Sequence, residues 1–158
     1  MASYLTLEAL ANVWWPTRLK EAFSSDGAKV SAEDHEKIQT LWLNTTFGIM
    51  GLLTFRQDTE GAWIDIKKET LNLIPVLDLS KLAKSQIDKL VSIFDKFCKN
   101  KLEPLPNQFS EAASGSGSRR EMDLEIMQIL TGNPIDLKTL YEYLAEEPII
   151  SLSPLPKL

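Results

Sequence analysis

Cysteine and histidine are scarce in this sequence, and their scarcity excludes several kinds of site. The 158 residues include one cysteine, Cys98, and one histidine, His35. A single cysteine excludes an intramolecular disulfide, and two such side chains are too few for a zinc site. The lone histidine leaves no second imidazole to activate a serine or cysteine nucleophile. We therefore expect no metal site, no cofactor and no catalytic residue in this chain, and we expect a reducing, cytoplasmic location.

Long apolar runs are also missing. The longest uncharged run, from Ile38 to Phe55, has 18 residues and is interrupted by polar side chains. A membrane-spanning helix needs about 20 predominantly apolar residues. The N-terminus lacks the basic, apolar and small-residue order of a signal peptide. We expect the run to form a buried helix, and we expect no membrane partner.

Positive charge is in deficit overall, but it is unevenly distributed. The chain carries 17 Lys and Arg against 22 Asp and Glu, a net charge of -5. That balance argues against an independent, high-affinity nucleic-acid binder. Residues 61–110, however, hold eight lysines and six acids. The middle of the sequence is its basic part.

Hydrophobic spacing predicts an α+β fold. Apolar residues recur at helical intervals over residues 32–53 and 86–99, and Ser31 and Ser85 are the expected N-caps. Short extended segments are expected around Trp14, two residues before Pro16, and around Trp63. We predict a small sheet from these two segments, packed on the two long helices.

The C-terminal third is predicted to be helical beyond a linker. Two prolines indicate an extended chain over residues 102–109, and the serine- and glycine-rich residues 110–118 have the composition of a flexible linker. We therefore assign an α+β domain to residues 1–109, a helical hairpin to residues 119–150 and a tail to residues 151–158.

Basic, amide and aromatic side chains near the ends of predicted elements form a candidate DNA-binding site. Cations at such positions suit phosphate contacts, an outward-facing amide suits a base edge, and an aromatic ring suits stacking. For the cations, an ordinary solvated surface is the alternative. The candidates are Arg18, Arg56, Lys67 and Lys68 for phosphates, Asn44 for a base edge and Trp63 for stacking.

One short string is similar to a different kind of site. Asp65-Ile66-Lys67, with Asp58 upstream, resembles the acidic-residue-x-lysine element of metal-dependent nucleases, in which two carboxylates hold a divalent ion. The spacing from Asp58 is short for that family, and no Pro-Asp precedes the string. A metal-dependent nuclease is therefore the least favoured of three interpretations of this sequence.

The order of three motifs is more informative than any one of them. Residues 41–48 read Leu-Trp-Leu-Asn-Thr-Thr-Phe-Gly, residues 61–68 read Gly-Ala-Trp-Ile-Asp-Ile-Lys-Lys, and residues 71–78 read Leu-Asn-Leu-Ile-Pro-Val-Leu-Asp before a helix at Gln86. This order resembles the closing half of target-recognition domains, found in type I restriction specificity subunits and at the C-termini of Taq-type adenine methyltransferases. In that pattern serine is usual where Thr45 stands.

The resemblance implies a DNA target-recognition or DNA-positioning role in restriction-modification, without catalysis. Its partners would be double-stranded DNA and a catalytic methyltransferase domain or subunit elsewhere, because this chain lacks the Asn-Pro-Pro-aromatic motif that grips a flipped adenine. The alternative from another class is a helical protein-interaction module. It would dock a methylase or helicase without contacting DNA, consistent with the acidic balance.

We predict that the isolated chain neither binds S-adenosylmethionine nor transfers methyl groups, because it contains neither that motif nor a glycine-rich cofactor loop. Titration calorimetry is the measurement. A stoichiometric complex with a micromolar dissociation constant would contradict the non-enzymatic interpretation.

Overall fold

The computed structural model describes Leu7, Glu69 and residues 19–55, 57–58, 64–65 and 72–151 of the chain. Within this part, the α+β class and the C-terminal helical region predicted from the sequence are confirmed. The strands are β1 (Ala22–Phe23), β2 (Lys29–Val30), β3 (Gln57–Asp58) and β4 (Ile64–Asp65). The helices with described bounds are α1 (Ala32–Leu43), α2 (Thr46–Thr54), α3 (Lys84–Phe97), α4 (Leu105–Ala113), α5 (Gly117–Thr131), α6 (Lys138–Glu146) and α7 (Pro148–Ser151), and a 3-10 turn covers Leu79–Lys81.

The helix predicted over residues 32–53 is two helices that meet at a corner. Ser31 caps α1 as expected, since its hydroxyl accepts from the backbone N–H of Asp34. Thr45 is extended, with φ -69° and ψ 163°, and its Oγ1 accepts from the N–H of Gly48 at 3.1 Å, so it caps α2. The prediction of one helix is wrong because the apolar spacing continues across the corner, whereas the break depends on a local side-chain cap.

The strands form two separate antiparallel hairpins. In the first, β1 pairs with β2, and Gly27 in the intervening turn has a φ of +79°. In the second, β4 pairs with β3, with Gln57 opposite Asp65 and Asp58 opposite Ile64. The sequence predicts a partner for β4 in the Trp14 region, which lies outside the described residues. The described partner of β4 is instead its own neighbour in the chain.

The first hairpin also positions α3. The carboxylate of Asp26, in the turn between β1 and β2, accepts from the backbone N–H of Lys84 at 3.2 Å. The side chain of Gln86 accepts from the N–H of Ala83 at 3.0 Å. The prediction that Ser85 caps this helix is therefore wrong. An N–H group in the first turn of α3 donates to a carboxylate 58 residues earlier in the chain. Local sequence patterns do not reveal such a contact.

Residues 105–113 are helical, which corrects the prediction of an extended segment followed by a linker from residue 110. Pro104 precedes α4 and Pro106 lies in its first turn. Prolines are tolerated there because the N–H groups of the first turn have no intrahelical acceptor. Phe109 and Ala112, three residues apart, are buried on one face. Of the proposed linker, residues 114–116 remain as the connection to α5.

Two apolar clusters stabilise the fold. The first is formed by residues of β2, α1, α3 and α5, including Val30, Ile38 and Leu90. The second joins α2, α4, α6 and α7 through Ile49, Phe109 and Leu144. Helix α4 packs against both α5 and α6. The two helices of the predicted terminal hairpin are thus both in contact with α4. Gly132, with a φ of +73°, ends α5.

None of the helices in the described ranges is long and apolar enough to cross a membrane.

We predict that Gly48→Ala destabilises the protein by roughly 1–3 kcal/mol. A Cβ at this position would lie 2.6 Å from Cα of Leu43 and closer still to the backbone oxygen of Trp42, so the corner itself would have to open. The measurement is the urea midpoint of unfolding.

Gly51→Ala is the matched control in the same helix. Its nearest contact would be Cδ of Pro75 at 3.3 Å, in a side chain. Replacing a helical glycine by alanine gains about 0.5–1 kcal/mol of helix propensity, which offsets this tight contact. Equal losses for the two variants would show that the corner does not exclude a side chain at Gly48.

Candidate functional site at the corner between the first two helices

The predicted DNA-binding residues fall into two groups. Asn44 is within the described part of the chain and lies at the corner between α1 and α2. The others lie outside the described residues; they are Arg18, Arg56, Trp63, Lys67 and Lys68.

Asn44 is half-buried, and its amide group is oriented by its own helix. Its Nδ2 donates to the backbone oxygen of Thr40 at 2.9 Å. Its Oδ1 accepts no hydrogen bond from a described residue. Among the described residues, no buried side-chain nitrogen or oxygen lacks a partner. The Oδ1 atom is therefore not fully buried.

Arg119 and Asp123, two residues of α5, form hydrogen bonds with the residues at the corner. Nη1 of Arg119 donates to the backbone oxygen of Asn44 at 2.9 Å. Oδ1 of Asp123 accepts from the backbone N–H of Thr46 at 2.9 Å, and its Oδ2 accepts from Oγ1 of Thr46 at 2.6 Å. A cation thus meets the C-terminus of α1 and an anion meets the N-terminus of α2, which is the favourable arrangement for both helix dipoles. We call Arg119 and Asp123 the corner clamp.

Both clamp side chains are buried and fully bonded. Nε and Nη2 of Arg119 donate to Oε1 of Gln108 at 3.0 and 2.7 Å, and the guanidinium lies 4.7 Å from the ring centre of Phe109. Asp123 has no exposed surface and accepts a further bond from the hydroxyl of Tyr141 at 3.1 Å. The clamp therefore connects α2, α4, α5 and α6 around the corner.

For Asp123 and Arg119, burial and the opposite charge of the other residue shift the pKa in opposite directions. Burial raises the pKa of Asp123, while Arg119, Thr46 and Tyr141 act to lower it. Burial also lowers the pKa of Arg119. For Tyr141, burial and the neighbouring carboxylate raise the pKa of the hydroxyl, so that it remains a donor. The donors around Asp123 thus favour its charged form against the cost of burial.

Sequence reasoning missed the corner clamp. The available signal was an arginine and an aspartate four residues apart in a predicted helix, on the same face as Met122 and Ile126. Charged residues at such positions are usually solvated. Their burial depends on a helix corner more than 70 residues away in the chain, and that corner was itself not predicted.

An extended strap, residues 75–78, lies across α1 next to the corner. The amide of Gln39 donates to the backbone oxygen of Leu77 and accepts from its N–H, at 2.7 and 3.2 Å. Nε1 of Trp42 donates to the backbone oxygen of Pro75 at 2.8 Å. Two side chains of α1 thus supply the hydrogen bonds that a neighbouring strand would supply, and they fix the path of the chain toward α3.

Much of the described positive charge is neutralised by ion pairs. Lys96 of α3 contacts both Glu121 and Glu125 of α5, each at 2.6 Å. These two acids lie outside the basic region of residues 61–110, so they reduce its local excess of charge. Other lysines with carboxylate partners within 4 Å are Lys29, Lys37, Lys84 and Lys138.

The two acids of the nuclease-like pattern lie in the second hairpin, where Asp58 of β3 pairs with Ile64 and Asp65 of β4 pairs with Gln57. Within the described ranges, no group of three or more His, Cys, Asp or Glu is arranged to hold a metal ion.

Comparison with known proteins adds no relative to this description. No protein-family profile, curated protein sequence or solved structure matches the chain. The functional interpretation therefore depends on the motifs and on the geometry around the corner.

We predict that Thr46→Val and Tyr141→Phe each destabilise the protein by about 1.5–3 kcal/mol, because each removes a donor from a buried carboxylate. The control is Thr54→Val, at an exposed helical position where Oγ1 donates to the backbone oxygen of Met50. This control should change the free energy of unfolding by less than about 0.5 kcal/mol.

The same variants should show a defined pH dependence. Burial raises the pKa of Asp123, so the stability linked to its protonation is present below its unfolded pKa and is lost as pH rises through its folded pKa. Removing a donor raises that pKa further. The loss caused by Thr46→Val should therefore be larger near pH 8 than near pH 4 in urea titrations. A loss independent of pH would show that Asp123 does not ionise in the folded protein.

Proposed function

We propose that this chain is a DNA target-recognition or DNA-positioning segment of a restriction-modification adenine methyltransferase, and that it is not catalytic by itself. The observation that carries the proposal is the order of elements formed by the motifs that resemble target-recognition domains. Residues 41–48 form a capped helix corner, Ile64–Asp65 a strand, residues 75–78 an extended strap, and Lys84–Phe97 a long helix.

The corner gives a physical reason for the first motif. Asn44 ends α1, Thr45 caps α2 through its hydroxyl, and Gly48 occupies a position without room for a Cβ. A serine and a threonine both offer an Oγ at the capping position. The presence of Thr45 in place of the usual serine is therefore compatible with the pattern.

The strap gives a comparable reason for the Ile-Pro-Val-Leu motif. Proline favours an extended chain at the preceding residue and donates no hydrogen bond of its own. Its oxygen and the peptide groups of Leu77 are bonded by Trp42 and Gln39. The Ile74 side chain is buried, so the motif anchors the chain between the second hairpin and α3.

In this proposal the DNA contacts come from the residues identified in the sequence. Arg18, Arg56, Lys67 and Lys68 would contact phosphates, Trp63 would contribute an aromatic surface, and Asn44 would meet a base edge. The partners are double-stranded DNA and a catalytic methyltransferase domain or subunit, in the cytoplasm.

A helical protein-interaction module is the second candidate, and the described surface gives it some support. Five described lysines are paired with carboxylates, whereas Leu73, before the strap, and Val76, within it, are each 58% exposed. Such a module would dock a methylase or helicase without contacting DNA. Salt-dependent DNA binding distinguishes the two candidates.

We predict that Lys67→Ala with Lys68→Ala weakens binding to all duplexes alike, because phosphate contacts carry no sequence information. Non-specific affinities of competent binders lie at roughly 10⁻⁴ to 10⁻⁶ M in physiological salt, and this acidic chain should lie at the weak end. The slope of log affinity against log salt should decrease by up to about two phosphate contacts. Fluorescence anisotropy over a series of salt concentrations is the measurement.

The matched control is Lys89→Ala with Lys99→Ala, which removes the same charge from exposed positions of α3 and its C-terminal end. It should leave the salt slope close to that of the parent chain. If both pairs have the same effect, the proposed DNA face is wrong. If the parent chain shows no salt-sensitive binding at low ionic strength, the interaction-module function replaces the one proposed.

A further inference from the structure

We infer that a groove beside α5 binds a small organic carboxylate with an apolar body, and that Arg120 holds the charged end of this ligand. The groove lies between the C-terminal end of α4, the first two turns of α5 and the start of α6. We call it the Arg120 groove. Its described lining contains no residue of the candidate DNA-binding site, and the inference does not rest on the proposed function.

The size and lining of the Arg120 groove suit a small molecule. Its volume is about 660 Å³, and pockets for small ligands usually measure about 300–1,000 Å³. Buried members of the second apolar cluster, including Tyr141, form part of its wall, so the groove reaches the core. The apolar side chains that line it are Ala112, Ala113, Leu124, Pro134, Ile135 and Leu137. Such a lining favours a ligand with an apolar body, because contact with it removes apolar surface from water.

Arg120 is a partly buried cation without a bonded partner. Its side chain lines the groove, yet the guanidinium makes no hydrogen bond or ion pair with a described residue. The preceding residue, Arg119, instead donates to Asn44 and Gln108. Burial and the Asp123 carboxylate raise the pKa of Tyr141, whereas the charge of Arg120 acts to lower it. The cation therefore lies near the buried wall of the groove, where an unpaired charge costs free energy.

The carboxylates of α5 are already bonded to other groups. Side chains three or four residues apart on a helix can contact each other. Of the residues at these distances from Arg120, only Asp123 has a carboxylate, and its oxygens accept from residues of α2 and α6. Glu121 and Glu125, on the same helix, both contact Lys96. Helix α5 therefore supplies no free carboxylate for Arg120, and its N–H donors are available to a ligand.

The other charged residues of the lining lie at the start of α6. Oδ1 of Asp136 accepts from the backbone N–H of Lys138 at 3.0 Å, and Nζ of Lys138 lies 3.8 Å from Oε1 of Glu142. With Arg120, the described lining carries two cations and one anion, an excess of one positive charge. This excess suits a monoanion. A guanidinium binds a planar carboxylate through two parallel hydrogen bonds, which makes a carboxylate the complementary charged group.

The first test compares ligands and needs no protein variant. Octanoate is titrated into the full chain at pH 7, and binding is followed by backbone amide shifts in two-dimensional NMR spectra. We expect saturable shifts centred on residues 112–115, 120–124 and 134–138. Octanol lacks the charge, and acetate and inorganic phosphate lack the apolar body. Each of these three should bind at least about tenfold more weakly than octanoate, the factor expected for one charge-assisted hydrogen bond or for the lost apolar contact.

The second test removes the charge of the protein. Arg120→Gln should lower the affinity for octanoate about tenfold and leave the affinity for octanol unchanged. Its urea midpoint should stay close to that of the wild type, because the guanidinium has no bonded partner among the described residues. The matched control is Lys89→Gln, which removes one positive charge from an exposed position of α3. This control should bind octanoate as the wild type does.

Several results would overturn the inference. Octanoate that does not saturate, or that shifts amides centred elsewhere, would show that the groove is not its site. Equal octanoate affinities of wild type and Arg120→Gln would exclude the guanidinium as the anchor. If octanol, acetate or phosphate bound as tightly as octanoate, the apolar wall or the charge alone would account for binding.

Discussion

The structure depends on one arrangement, in which Arg119 and Asp123 of α5 satisfy the two backbone ends that meet at the corner between α1 and α2. A helix that stops in the protein interior leaves carbonyl oxygens or N–H groups without partners, and each costs free energy if it stays unbonded. The clamp supplies a cation for the first end and an anion for the second. The two helix ends in turn stabilise the charges of Arg119 and Asp123, whose burial without partners would be unfavourable.

The corner clamp also explains how two apolar clusters form one fold. Helix α5 contributes Met122 and Ile126 to the first cluster, while Asp123 accepts hydrogen bonds from Thr46 of α2 and from Tyr141 of the second cluster. The contact between the clusters is thus partly polar and depends on hydrogen-bond geometry. Packing alone tolerates substitutions of similar volume, but a bonded network fixes the relative position of helices α2, α5 and α6.

The limits of prediction from sequence follow from the same distinction. Apolar spacing predicts the helical regions and the α+β class, because these depend on residues close in the chain. It fails at the corner, at the N-terminus of α3 and at Pro104–Pro106. The first depends on whether Thr45 caps, the second on Asp26 from a distant turn, and the third on whether prolines begin or prevent a helix. Of the candidate site, Asn44 was identified, but the clamp beneath it was not, since partners far apart in sequence decide its burial.

The motif around Asn44 illustrates how a pattern can indicate function through residues that mainly serve the fold. Thr45 and Gly48 are committed to the corner, and Nδ2 and the peptide groups of Asn44 are bonded within the protein. Such residues recur wherever the same corner is needed, whatever the corner binds. The side chain of Asn44 serves the corner in the same way, because its Nδ2 bonds to one of the last carbonyl oxygens of α1. The corner therefore accounts for all three residues, and a DNA contact by Asn44 would follow from the resemblance alone.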